Sequence, residues 1–131
     1  MFDSEASNMT VGVVGAGTMG RGIAQVCATA GFSVVMFDAV SGVTQDGLEF
    51  IQKILSRSAD KGRIMEAEAS ATLSRIVLAN SLENMAGCGI VIEATAENYG
   101  IKKGLFRQLE EIVSDTTVLA TNTSSLSVTE I

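Results

Sequence analysis

Apolar residues along the chain fall into short runs separated by stretches of helical spacing. Thr10-Val-Gly-Val-Val14 is a β-branched run that predicts a buried strand, and the turn Gly15-Ala-Gly-Thr-Met-Gly20 follows it. Ile23, Ala24, Cys27, Ala28 and Ala30 then recur at helical spacing, which predicts a helix from about Thr18 to Ala30 with Gly31 as its left-handed C′ residue. Phe32-Ser-Val-Val-Met-Phe37 reads as a second apolar strand ending at Asp38. Strand, glycine turn, helix and strand make a βαβ unit.

Between Ser41 and Arg75 the period changes. Leu48, Ile51 and Leu55, then Met65, Ala69 and Leu73, recur at helical spacing on either side of Gly62, which predicts a helical hairpin inserted over residues 41–75. It carries Lys53, Arg57 and Lys61 at i, i+4 and i+8, on one helix face, with Arg63 just beyond. The bland reading of such a stripe is a solvated helix face. Strand-like runs resume at Arg75–Ala79, Gly89–Ala94 and Thr117–Thr121, and Leu105, Leu109, Ile112 and Val113 predict an amphipathic helix over about Ile101–Ser114. Five short apolar strands separated by helices, with no two-residue hairpin signal, predict an α/β fold with a doubly wound, mainly parallel sheet covered on both faces. Ser127-Val-Thr-Glu130 is a capping-box pattern that announces a further helix just before Ile131, so the sequence reads as part of a longer protein.

Composition narrows the function. Of 131 residues, 47% are hydrophobic, enough for a core and too many for a disordered tail. Nine Lys plus Arg against 15 Asp plus Glu leave a net charge of −6, which repels a phosphate backbone and argues against nucleic acid as a partner. The first eight residues lack the basic start and apolar stretch of a secretory signal, and no run approaches the ~20 apolar residues that span a bilayer. The expectation is a cytoplasmic protein with no membrane partner. Cys27 and Cys88 sit in apolar stretches, where small buried hydrophobes are the usual role, and no metal site is expected. There is no histidine, so nothing in the chain supplies histidine acid–base chemistry.

Gly15-x-Gly17-x-x-Gly20 gains weight from its context. A strand precedes it, a helix follows, and Asp38 lies 18 residues after Gly20, near the ~20-residue offset of a dinucleotide fingerprint. Gly15 would allow the tight turn, Gly17 would let the backbone approach a pyrophosphate, and Gly20 would let the helix pack on the sheet. The first turn of the helix offers its N–H groups to the phosphates. Asp38 would accept hydrogen bonds from the adenosine ribose and repel a 2′-phosphate, and Ala39-Val40-Ser41 supply no arginine, so NAD is favoured over NADP. A flavin-binding or cofactor-free domain of the same Rossmann type remains the alternative at this point. Val91-Ile-Glu-Ala-Thr-Ala-Glu-Asn98, followed by Lys102 and Lys103, places carboxylates and a lysine at the carboxyl end of the fourth strand, and Thr121-Asn-Thr-Ser-Ser-Leu126 places small hydrogen-bonding side chains at the end of the fifth.

The segments Val11–Gln25, Val91–Ala94, Glu97-Asn98, Lys102, Phe106 and above all Thr121–Leu126 resemble the N-terminal NAD-binding domain of the 3-hydroxyacyl-CoA dehydrogenase family, which includes the 3-hydroxybutyryl-CoA dehydrogenases. The resemblance implies an enzyme that oxidises an L-3-hydroxyacyl-CoA to the 3-oxoacyl-CoA, with NAD as cofactor and acyl-CoA as substrate. It implies that Glu97 and Lys102 lie on the ribose and nicotinamide side of NAD, and that Asn122 and Ser124 are catalytic, Ser124 bonding the reacting oxygen. It implies that the hairpin is the arm that meets CoA. In the family a histidine oriented by a glutamate is the general base, and a helical C-terminal domain closes the site and makes a homodimer. With no histidine, residues 1–131 are expected to bind NAD without catalysing. Ala96, where a proline is common, bears only on a loop. A stand-alone nucleotide-binding module and a related 3-hydroxyacid dehydrogenase are the alternatives.

Overall fold

A computed structural model describes residues 9–95 and 99–121. Its elements are β1 (Thr10–Val14), α1 (Thr18–Thr29), β2 (Ser33–Phe37), α2 (Val43–Asp60), α3 (Glu66–Ser74), β3 (Ile76–Leu78), a 3-10 turn (Leu82–Gly87), β4 (Ile90–Glu93), α4 (Tyr99–Ile112) and β5 (Val118–Thr121). The five strands form one sheet in the order β3-β2-β1-β4-β5, with every pairing parallel. The chain winds outward from β1 to β3, then crosses back to β4, so the order reverses between β1 and β4. In open α/β sheets ligands bind outside the carboxyl ends of the strands at that reversal.

The strand residues alternate between two cores. Val11, Val13, Val34 and Met36 pack with Ala24, Ala28, Ile51 and Leu55 on the face that α1 and α2 cover. Val14 and Val91 pack with Met85, Cys88 and Leu109 on the other. Both faces are therefore apolar, which is why these strands read as continuous hydrophobic runs. Gly12 matters to the second face, because a Cβ there would lie 2.5 Å from the Met85 sulfur.

Helix ends follow the local chemistry. Gly31, at φ +104°, ends α1: its N–H donates to the Ala28 carbonyl, and the Phe32 N–H donates to that of Cys27. Gly62 repeats the pattern after α2, with bonds from Gly62 N–H to Ala59 and from Arg63 N–H to Ser58. Both are Schellman stops, which satisfy carbonyls the helix leaves orphaned.

Three details depart from the sequence reading. Met65, assigned to the apolar stripe of the second hairpin helix, instead precedes α3 as its N-cap residue and is 73% exposed, since α3 starts at Glu66 with acids in its first turn. Lys61 lies just past the end of α2, so the basic stripe ends at a helix C-terminus, where cations offset the dipole. The turn at Leu82–Gly87 was not anticipated, although Ser81-x-x-Asn84 signals it: the Ser81 backbone N–H donates to the Asn84 side-chain oxygen, and the Ser81 side chain accepts from the Asn84 backbone N–H. That turn carries Met85 into the second core.

Cys88 is buried and Cys27 half-buried, and burial raises both thiols above their ordinary pKa, so both remain protonated small hydrophobes. Among the described residues no helix is long and apolar enough to cross a membrane.

Candidate functional site

A cleft of about 730 Å³ opens at the carboxyl ends of β2, β1 and β4; Gly15, Gly17, Asp38, Val40, Ala94 and Thr95 are among the residues that line it. Each of the three sequence-predicted glycines has a distinct physical task. Gly15 has φ +104°, and a Cβ there would sit 2.8 Å from the backbone of Ala94, so the turn presses against the end of β4. A Cβ on Gly20 would lie 1.5 Å from the Gly15 carbonyl oxygen, so the first turn of α1 seats directly on the glycine loop. Gly20 is buried. Gly17 is exposed, and a Cβ on it would meet nothing within 4 Å. It is also the N-cap of α1, with no side-chain cap and no acidic residue in the first turn. Among the described residues no side chain caps that turn, and its N-cap residue Gly17 lines the cleft, which suits an anionic diphosphate.

Asp38 closes the other side of the loop. Its Oδ2 accepts from the Ala16 N–H at 2.8 Å and its Oδ1 from the Val40 N–H at 2.8 Å. Each oxygen keeps a second lone pair for a ligand hydroxyl. The carboxylate therefore has two tasks, fixing the loop and presenting charge to the cleft, and only the second was read from the sequence. These groups fit an adenosine ribose at Asp38 and a diphosphate at Gly17.

Beyond β1 the character changes. Glu93, at the end of β4, is fully buried, and Lys102 on α4 is 1% exposed with its Nζ 3.3 Å from Glu93 Oε1. Thr121 Oγ1 donates to Oε1 at 2.6 Å, the Thr95 N–H donates to Oε2 at 2.6 Å, and the Thr95 hydroxyl donates to Oε2 as well. Burial by itself raises the Glu93 pKa, but the hydrogen bonds from Thr121 and Thr95 and the Lys102 ammonium outweigh it and leave the carboxyl below its ordinary value. Glu93 thus ties the ends of β4 and β5 and the start of α4 together. Lys102 is among these buried residues and is not part of the cleft lining. Sequence reasoning placed a carboxylate at this strand end without seeing that it is the hub. The signal was present, since a glutamate ending an apolar buried strand needs a partner within reach.

Glu97, Asn122 and Ser124 lie outside the described residues, as does the capping pattern Ser127–Glu130. Among the described residues no cluster of His, Cys, Asp and Glu could hold a metal ion.

A family model described as "3-hydroxyacyl-CoA dehydrogenase, NAD binding domain" matches residues 10–131. A probable 3-hydroxybutyryl-CoA dehydrogenase of Bacillus subtilis is 45% identical over 119 residues, covering 91% of this chain and 42% of the relative. A crystal structure of (S)-3-hydroxybutyryl-CoA dehydrogenase from Ralstonia eutropha superposes with a TM-score of 0.88 at 41% identity, over 94% of this chain and 44% of that one. A 3-hydroxybutyryl-CoA dehydrogenase structure from Escherichia coli gives a TM-score of 0.89 at 36% identity, over 93% of this chain and 26% of that one. The chain spans less than half the length of these relatives. The glycine loop, the Asp38 carboxylate and the sheet reversal agree with this match, and the chain belongs to the 3-hydroxyacyl-CoA dehydrogenase family, of which it carries the NAD-binding domain.

Proposed function

We propose that this chain is the cofactor-binding part of an NAD-dependent L-3-hydroxyacyl-CoA dehydrogenase of the cytoplasm. The observation that carries this reading is the cleft lined by both the N-cap residue Gly17, which has no side-chain cap, and the Asp38 carboxylate. NAD, when bound, supplies the hydride acceptor for the substrate's 3-hydroxyl carbon. The chain's own residues bind and orient. The first-turn N–H groups of α1 take the diphosphate, Gly15 and Gly20 hold the loop at the required curvature, and Asp38 takes the adenosine ribose hydroxyls while repelling a 2′-phosphate.

Glu97, Asn122 and Ser124 belong in this reading to the nicotinamide and substrate side, at the ends of β4 and β5, with Asn122 and Ser124 catalytic through contact with the reacting hydroxyl. Lys102, paired with Glu93, contributes there as a buried charge and not as part of the cleft wall. Acyl-CoA is the substrate, and the hairpin helices α2 and α3 are the segment offered to CoA, with Lys53, Arg57 and Lys61 all exposed. The chain has no histidine to receive the hydroxyl proton, so alone it binds NAD without turnover. Homodimerisation belongs to the longer parent protein.

Calorimetric titration with NAD and NADP tests the reading. NAD is expected to bind in the micromolar to millimolar range with NADP much weaker, and Asp38→Ala is expected to lose NAD affinity. Tighter binding of NADP than of NAD would overturn it.

A further inference from the structure

The threonine hydroxyls around Glu93 have a direction. An ionised carboxylate only accepts hydrogen bonds, so a hydroxyl bonded to it must donate its hydrogen and turn its lone pairs elsewhere. Thr95 is in this position: its Oγ1 and its backbone N–H both donate to Glu93 Oε2. No other hydrogen bond engages that hydroxyl among the described residues, and Thr95 lines the cleft. Glu93 cannot turn away, because Lys102 and Thr121 hold its other oxygen and it is fully buried.

The sheet order says which part of a ligand would meet Thr95. Asp38 follows β2, Gly15 and Gly17 follow β1, and Thr95 follows β4, and these three strands are neighbours in the order β2-β1-β4. A dinucleotide with its adenosine ribose at Asp38 and its diphosphate at Gly17 continues across β1 and brings its second ribose over the end of β4. Ribose hydroxyls are donors and need acceptors. We propose that Thr95 is a further cofactor-binding residue, its hydroxyl oxygen held by Glu93 as an acceptor for a hydroxyl of the second, nicotinamide-bearing ribose. The inference deepens the NAD reading above and rests on it.

Three ligands and four proteins separate the outcomes. NAD, ADP-ribose and AMP are titrated calorimetrically into the 131-residue chain, Thr95→Val, Thr95→Ala and Thr95→Ser, with thermal unfolding recorded for each. Loss of one hydrogen bond predicts that the Val and Ala variants bind NAD and ADP-ribose about two- to tenfold more weakly, while AMP affinity is unchanged and the Ser variant matches the wild type. The Ala and Ser pair isolates the hydroxyl should the Val variant unfold. Wild-type NAD affinity in the folded Val or Ala variant overturns the proposal, and so does an equal loss for AMP. A loss confined to NAD, with ADP-ribose unaffected, overturns the ribose assignment in favour of the carboxamide. A wild type that binds none of the three ligands overturns the NAD reading itself, and this inference with it.

Discussion

Asp38 follows β2 and Glu93 ends β4, the two strands that flank β1, and the surroundings put these carboxylates to opposite uses. Asp38 is half-exposed, takes two backbone N–H donors and keeps its face to the cleft. Glu93 is fully buried, takes an ammonium, two hydroxyls and a backbone N–H, and keeps none of its surface for solvent. One fixes a loop and lines the cleft. The other is a structural hub that ties the ends of β4 and β5 to α4. Position at a strand end does not decide function; what decides it is whether a buried cation lies within reach to satisfy the charge.

The contrast can be broken at its strongest point first. Gly20→Val forces a side chain against the Gly15 carbonyl oxygen, in a gap where even a Cβ would be 1.5 Å away, and is expected to destabilise the chain by about 3 kcal/mol or more and abolish NAD binding, as read by urea unfolding and calorimetry. Lys102→Met leaves Glu93 buried without its cation and should cost about 3 kcal/mol. Adding Glu93→Gln to Lys102→Met should recover part of that loss, because no buried charge then remains unpaired. If the double variant is as unstable as the sum of the two single variants, the pair is not the source of the effect.

Acid sharpens the comparison further. The Glu93 carboxyl lies below its ordinary value of 4.5, so its contribution to stability is complete above that pH and is lost as pH falls through its folded pKa. Unfolding monitored by circular dichroism should therefore begin below about pH 4.5. In Glu93→Gln that part of the acid sensitivity should disappear, and an unchanged acid transition in this variant would count against the hub.

The smallest expected structural effect belongs to Gly17→Ala, whose Cβ would meet nothing within 4 Å. Unfolding is expected to shift by less than about 1 kcal/mol, in contrast to Gly20→Val, whereas NAD affinity should fall because the new methyl occupies the approach to the α1 N–H groups. A variant that loses stability and keeps its affinity would assign Gly17 to the fold instead of the site.

The strands and helices were legible because their periods are strong and both faces of the sheet are buried. The shift of Met65 to an exposed cap and the turn at Leu82–Gly87 were not read, since each depends on side chain to backbone bonds or a helix start that periodicity does not report. Around the cleft, the spacing of Gly15, Gly17, Gly20 and Asp38 singled out residues that the fold brings together, since Gly15, Gly17 and Asp38 line the cleft and Gly20 packs against the Gly15 carbonyl oxygen. Thr95 and the hub role of Glu93 were not legible.

The amino-acid sequence by itself determined the βαβ order, the glycine loop and the acidic residue that ends β2, all of which are local or repeat at short range. Only the tertiary structure decided that Lys102 is drawn inside to Glu93, that Asp38 closes the loop beside it, and that Thr95, a residue lining the cleft, donates its hydroxyl to Glu93. These depend on which strand ends become neighbours when the sheet reverses between β1 and β4, and on the burial that compels each charge there to find a partner.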